Sequence, residues 1–232
     1  MAKLYLVGTP IGNLEDITIR ATKTLEFVDV IACEDTRVTL KLLNALGISH
    51  KKLITYNNFN EKNGSKGILK LIQENNLNVA LVSDAGMPIV SDPGFEVLRQ
   101  AKSAGVEFEL IPGVSAVTTA FALSSLSNTF TFCGFIKDKS QQRINSLSKL
   151  TEGTYIYFVS PHKILNVLTD ITTVFEGQES IFLAKELTKM YEEFFEGTAQ
   201  NIFDTLSQRE VIKGEFTLVL KIPKIKRNKY AN

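Results

Sequence analysis

Cysteine and histidine are scarce in this 232-residue sequence, and each scarcity excludes something. The two cysteines, Cys33 and Cys133, lie far apart, each in or beside an apolar run. That spacing excludes a disulfide framework and predicts two buried free thiols in a reducing compartment. The only histidines, His50 and His162, have no ligand spacing to a cysteine, so no metal site is expected. Charge of one sign is missing as well. The formal net charge is +1, so no global field advertises a polyanionic partner, and any nucleic-acid contact must come from a local patch. The first apolar run ends at Gly8, too early for a signal peptide, and no apolar stretch approaches the ~20 residues of a membrane span. A soluble, cytoplasmic chain without membrane contact is the expectation. Neither an internal repeat nor a low-complexity segment is present.

What the sequence does have is an ordinary globular balance, 44% apolar and 22% charged, and enough length to bury a core. Short apolar runs at 4–7, 28–32, 53–55, 79–82 and 108–111 read as buried strands. Amphipathic stretches at 18–27, 39–45, 61–74 and 94–104 read as helices between them. Such alternation implies a mostly parallel sheet covered on both faces. Gly47 and Gly105 fall just past two of the helices, where a left-handed residue is wanted. Beyond Pro112-Gly113 the rhythm changes. A small, apolar, serine-rich helix at 114–125 is followed by strands at 129–133, 154–159, 180–184, 193–196 and 216–222. Helices at 141–150, 163–175 and 199–207 separate them. The reading is therefore an α/β fold of two lobes, 1–113 and 114–223, with a disordered basic tail at 224–232.

Several strand exits carry polar or glycine-rich clusters. Gly8-Thr9-Pro10-Ile11-Gly12-Asn13 follows the first strand, where open α/β sheets bind ligands. It is neither a Walker loop nor a GxGxxG fingerprint, and Pro10 removes an amide donor that a pyrophosphate would want. A tight structural turn is one reading; a site for a nucleoside ligand without phosphates is the other. Glu34-Asp35-Thr36-Arg37 follows the second strand. Asp35 or Thr36 can cap the next helix, but a cation at a helix N-terminus opposes the macrodipole, so capping leaves Arg37 unexplained. Ser83-Asp84-Ala85-Gly86-Met87-Pro88 leaves the fourth strand, with Gly86 permitting close backbone approach and Asp84 placed to meet a ligand amine or hydroxyl. Asp92 before Pro93 reads instead as an N-cap with proline at the first helical position. Ile111-Pro112-Gly113-Val114-Ser115-Ala116 ends a strand and opens a helix. Ala184-Lys185-Glu186-Leu187-Thr188-Lys189 ends another, and by composition alone its charges are a solvated pair.

Taken together and in order, these motifs, with Leu14-Glu15-Asp16-Ile17-Thr18 extending the first and Gly214-Glu215 closing the series, resemble the ribosomal RNA small-subunit methyltransferase I family. That family is a branch of the tetrapyrrole-methylase superfamily, and the resemblance runs over nearly the whole chain. It implies two α/β lobes with S-adenosylmethionine in the cleft between them, in a homodimer. It also implies 2′-O-methylation of a cytidine in the decoding region of 16S rRNA, and the near-neutral charge favours the assembled 30S subunit over free RNA as the partner. Carried over by position, Pro10, Asp84, Ala85, Gly86, Pro88, Ser115, Ala116, Glu186 and Leu187 would hold the cofactor. Glu34, Thr36 and Arg37 would face the RNA. With no histidine nearby, Asp35 or Glu61 is the candidate to take or orient the hydroxyl proton, beside Arg37 as an anchor. The sequence departs from the family pattern at Tyr56-Asn57-Asn58-Phe59-Asn60-Glu61, where histidines are frequent, and at Met87, where threonine is usual. It departs again at Phe158-Val159-Ser160-Pro161-His162-Lys163. The rival readings are a methylase of a small tetrapyrrole precursor and a non-catalytic RNA-binding protein on the same fold.

Overall fold

A computed structural model describes residues 1–224; the basic tail expected at 224–232 lies outside these residues but for Lys224. The chain divides into two compact units, Met1–Ser115 and Ala116–Asn232.

In the first unit, β1 (Leu4–Val7), β2 (Val30–Cys33), β3 (Lys52–Thr55), β4 (Val79–Leu81) and β5 (Phe108–Ile111) alternate with helices. These are α1 (Ile19–Phe27), α2 (Thr36–Ala45), α3 (Glu61–Gln73) and α4 (Phe95–Ser103). All five strands are parallel, in the order β3-β2-β4-β1-β5. The apolar runs are continuous because both faces are covered. Leu4, Leu6, Val30, Ala32, Val79 and Leu81 pack with Ile68 and Ile72 of α3 and Val97 and Ala101 of α4. Val7, Ile31, Cys33, Ala80, Val82 and Ile111 turn the other way, onto Ala21 and Leu25 of α1 and Leu43 of α2. Thr18 caps α1 by accepting from the Ala21 amide. Gly47 and Gly105 are both left-handed, as their places after helices required.

The start of α4 differs from expectation. Asp92 and Pro93 do not open the helix; the N-cap is Gly94, at φ 134°, and it has no side chain to cap with. Glu61, at the head of α3, takes that role instead, its Oε1 accepting from the Gly94 amide at 3.0 Å and the Glu96 amide at 3.1 Å.

The second unit contains α5 (Ala116–Ser124), β6 (Thr131–Phe135), α6 (Ser140–Leu147), β7 (Gly153–Val159) and α7 (Ile164–Phe175). β8 (Ser180–Lys185), β9 (Glu193–Gly197), α8 (Ala199–Leu206) and β10 (Phe216–Ile222) follow. Its sheet runs β6-β7-β10-β8-β9, and only the β6–β7 pair is parallel. The core joins Tyr157, Leu183, Leu218 and Leu220 of the sheet to Leu147, Val167, Ile171, Ile202 and Leu206 of the helices. Inside it lies one ion pair. Arg143, only 2% exposed, donates from Nε to Asp170 Oδ2 at 2.6 Å and from Nη1 to the Lys137 carbonyl at 2.8 Å, while Ser140 Oγ donates to Asp170 Oδ1. Cys33 is buried, but Cys133 is exposed, against the expectation of two buried thiols. It sits on the edge strand β6, whose alternate residues Thr131, Cys133 and Phe135 all face outward.

Candidate functional site

Because the strands of the first unit are parallel, the loops after β2, β4, β1 and β5 emerge side by side at one edge of the sheet. Two of them touch backbone to backbone. The Gly8 amide donates to the Ile111 carbonyl at 3.0 Å, and a Cβ built on Gly8 would stand 2.7 Å from the Gly113 nitrogen and 2.8 Å from its Cα. No side chain fits in that crossing. Met87 Sδ closes it from the third loop, accepting from the Gly113 amide at 3.2 Å. The β1 and β4 loops are also stitched together, since the Thr9 amide donates to the Gly86 carbonyl at 2.8 Å and the Gly86 amide to the Thr9 carbonyl at 3.2 Å. Gly86 holds φ +82°, a conformation open to glycine at little cost. Pro10, Ala85 and Pro88 are thereby fixed along this edge next to the crossing.

The β2 and β4 loops bring carboxylates together. The Asp35 amide donates to Asp84 Oδ1 at 3.1 Å, and the Asp84 amide to Glu34 Oε1 at 3.4 Å. Asp35 is the N-cap of α2, accepting from the Arg37 amide at 2.8 Å. Arg37 then folds back, its Nη2 2.6 Å from Asp35 Oδ2 and its Nε 3.0 Å from Oδ1, which explains a cation at this helix start: it pairs with the cap. The three carboxyls separate in character. The Arg37 guanidinium, and then its amide, hold Asp35 down at about 2. Burial pushes Asp84 up; the Asp35 amide pulls it back, and the Asp35 charge raises it again. Burial, then the Asp84 charge, push Glu34 up, against the pull of the Asp84 amide. Thr36 is the first residue of α2.

Glu61 stands apart from this group. Besides its two α4 amides, its Oε1 accepts from the Tyr56 hydroxyl at 3.3 Å.

In the second unit, Glu186 and Leu187 follow β8 in a loop built on backbone strain, with Glu186 at φ +53° and Thr188 at φ +64°. Glu186 is tied to the segment that opens β10. Its amide donates to the Glu215 carbonyl at 2.9 Å, and its Oε1 accepts from the Glu215 amide at 2.8 Å and from Lys189 Nζ at 3.0 Å. Burial raises the Glu186 carboxyl, but the Glu215 amide and the Lys189 ammonium outweigh it and leave it below its ordinary value. The Glu186 side chain is thus committed to the loop, and Leu187 behind it is buried. Ser115 and Ala116 fall on either side of the division between the units. The tight-turn reading of the loop at 8–13 fits its bonds to Gly86; what the sequence did not reveal is that Gly8 and Gly113, 105 positions apart, meet.

A family model described as Tetrapyrrole (Corrin/Porphyrin) Methylases matches residues 3–202. Ribosomal RNA small subunit methyltransferase I of Mycoplasmopsis pulmonis is 50% identical over 223 residues, covering 96% of this chain and 99% of that protein. The chain belongs to the ribosomal RNA small subunit methyltransferase I family. A member from Thermotoga maritima is 43% identical, over 95% of this chain and 98% of its own. Solved structures share the fold of this family at low identity. Uroporphyrin-III-C-methyltransferase from Thermus thermophilus superposes with a TM-score of 0.67 at 19% identity, covering 94% of each chain. Diphthine synthase reaches 0.72 at 14%, covering 95% of this chain and 90% of its own. A further Thermus thermophilus uroporphyrin-III C-methyltransferase, TM-score 0.64 at 16% identity, is described as complexed with S-adenyl homocysteine and covers 94% of this chain and 97% of its own.

Proposed function

We propose that this protein methylates the ribose 2′-hydroxyl of a cytidine in the decoding region of 16S rRNA, using S-adenosylmethionine. The observation that carries the reading is the near-complete, 43–50% identical match to proteins named for small-subunit rRNA methylation. The first unit suits that cofactor chemically. Its loop edge presents Glu34, Asp35 and Asp84 and a glycine crossing closed to side chains. The carboxylates beside that crossing favour a cationic ligand without phosphates. S-adenosylmethionine supplies an electrophilic methyl group on a sulfonium.

The residues of the chain then have distinct tasks. Asp84, with Ala85, Gly86, Pro88, Pro10 and Ser115 of the first unit, holds the cofactor. Asp35, ion-paired with Arg37 and capping α2, is placed to take or orient the ribose hydroxyl proton. Glu34, Thr36 and Arg37 face the nucleotide, and Arg37 anchors a phosphate or base edge. Glu61 keeps α4 in place behind them. Because in-line transfer depends on alignment of oxygen, methyl and sulfur, this positioning accounts for much of the expected rate.

The near-neutral charge favours an assembled 30S particle over free RNA as substrate, since little electrostatic drive is available. A cytoplasmic homodimer completes the proposal; among the described residues no helix is long and apolar enough to cross a membrane. Mass mapping of small-subunit RNA from cells lacking the protein tests it. One missing 2′-O-methyl mark on a decoding-region cytidine is expected, and an unchanged RNA overturns the reading.

A further inference from the structure

The loop after β3 contains a ring for which the fold has no use. Phe59 is 101% exposed, yet the loop that carries it is tightly held. The Asn57 amide donates to Asn60 Oδ1 at 2.9 Å, the Phe59 amide to Asn57 Oδ1 at 3.1 Å, and Asn60 Nδ2 to the Thr55 carbonyl at 3.0 Å. The next turn is locked as well, with the Gly64 amide donating to the Asn60 carbonyl at 2.7 Å. The backbone that presents the ring to water is therefore ordered by the Asn57 and Asn60 side chains.

Its position is defined by the sheet. β3 pairs with β2 in parallel, Cys33 opposite Thr55, and the Tyr56 amide donates to the Cys33 carbonyl at 2.8 Å. The Phe59 loop and the Glu34–Arg37 loop thus leave neighbouring strands at the same end. Phe59 is three residues beyond that shared bond, within about 11 Å of chain. Arg37, whose side chain is 85% exposed, is four residues beyond it on the other side. Asn58, next to the ring, is also exposed.

We infer that Phe59 is a stacking platform for an unpaired nucleobase of the RNA substrate, with Asn58 and Arg37 placed to meet base edges or phosphates alongside it. This rests on the RNA reading above. The chemistry selects a base over a protein surface. A protein partner would ask for a contiguous apolar patch around its anchor, whereas Phe59 is set among Asn57, Asn58, Asn60 and Lys62. An unpaired base asks for one aromatic face with amide or guanidinium donors at its side. An ordered loop also suits the reaction, because a base stacked on Phe59 positions the ribose without the loop backbone having to order first.

The sequence contains no tryptophan, so Phe59→Trp introduces a single reporter that keeps an aromatic face. Phe27→Trp is the control. Phe27 is 61% exposed and ends α1 just before β2 begins, at the opposite edge of the sheet. With small subunits from cells lacking the protein, wild type transfers methyl groups. Phe59→Ala raises KM by on the order of ten-fold with kcat little changed, and Phe59→Trp restores it. Tryptophan emission at position 59 is quenched by the subunits, and at position 27 it is not. An unchanged KM for Phe59→Ala beside an active wild type overturns the inference and leaves the methylation reading standing. A blue shift of the position-59 emission with rising protein concentration, without RNA, overturns it too, because the ring is then covered by a second copy. Failure of wild type to methylate the particle removes the methylation reading and this inference together.

Discussion

The two units of this protein solve the placing of loops in different ways. In the first, five parallel strands send every exit to one edge, so four motifs scattered between Gly8 and Gly113 meet without any special device. In the second, β8 and β10 run antiparallel, so the end of one strand meets the beginning of the other. Glu186 therefore finds Glu215, 29 positions later in the chain, and the two segments become one structure. Parallel order gathers several loops at one edge; antiparallel order joins two segments end to start. The difference teaches where each unit is vulnerable, the first at its loop crossing and the second in its core.

The sharpest break of that comparison should come from Arg143→Ala. It leaves Asp170 buried without its partner and the Lys137 and Asp138 carbonyls without that donor, and breaking such a pair costs about 3–5 kcal/mol. Hydrogen exchange should show protection lost across β7, β8 and β10 while β1, β2 and β4 keep theirs. Equal loss in both sheets would mean that the units do not fail separately. Gly8→Ala should be next. Its methyl group would collide with the Gly113 backbone, which cannot rotate away, and overpacking of this kind costs about 1–3 kcal/mol. The functional loss should exceed the loss of stability. Calorimetry of S-adenosylmethionine binding is expected to show none in a variant that remains folded by circular dichroism, and normal binding would refute the crossing as part of the site.

The smallest effect is one of pH. A carboxyl whose pKa is raised on folding binds more protons in the folded state within the window between its ordinary and raised values. Stability therefore falls as pH rises through that window, and the deficit is complete above it. Asp84 is such a group, driven by burial. Asp84→Asn keeps an oxygen for the Asp35 amide and removes the charge, so Tm should rise slightly at neutral pH and match wild type at pH values well below the ordinary carboxylate range. Asp35 has the opposite sign: its contribution is present above the ordinary range and fades as pH falls through about 2. Thermal melts across pH that show a loss of stability for Asp84→Asn at neutrality would contradict this account.

Much of the fold was legible because its signals are local. β1, β5 and β10 coincide with the apolar runs at 4–7, 108–111 and 216–222, since each run is bounded by residues that end a strand. The failures are all contacts over distance. Asp92-Pro93 has the composition of a helix start, but Glu61 caps α4 from another helix, and no window around residue 92 contains that information. Cys133 sits in an apolar stretch, yet only the strand order reveals that β6 is an edge. The candidate site divides likewise. Glu34, Asp35 and Asp84, read in the sequence as parts of different motifs, meet because they leave neighbouring parallel strands, and their separation into one acidic and two reluctant carboxyls depends on Arg37 reaching Asp35.

The strand order of the second sheet also sets a schedule. β10 is the last described strand in sequence and the middle one in space, lying between β7 and β8. Until residues 216–222 leave the ribosome, both of those strands present open edges, and the loop at Glu186 lacks the amide that fixes it. A half-made copy would therefore be sticky and incomplete at once. The interval between synthesis of β8 and arrival of β10, rather than the stability of the finished molecule, is where a slowed codon or a missing chaperone would be felt.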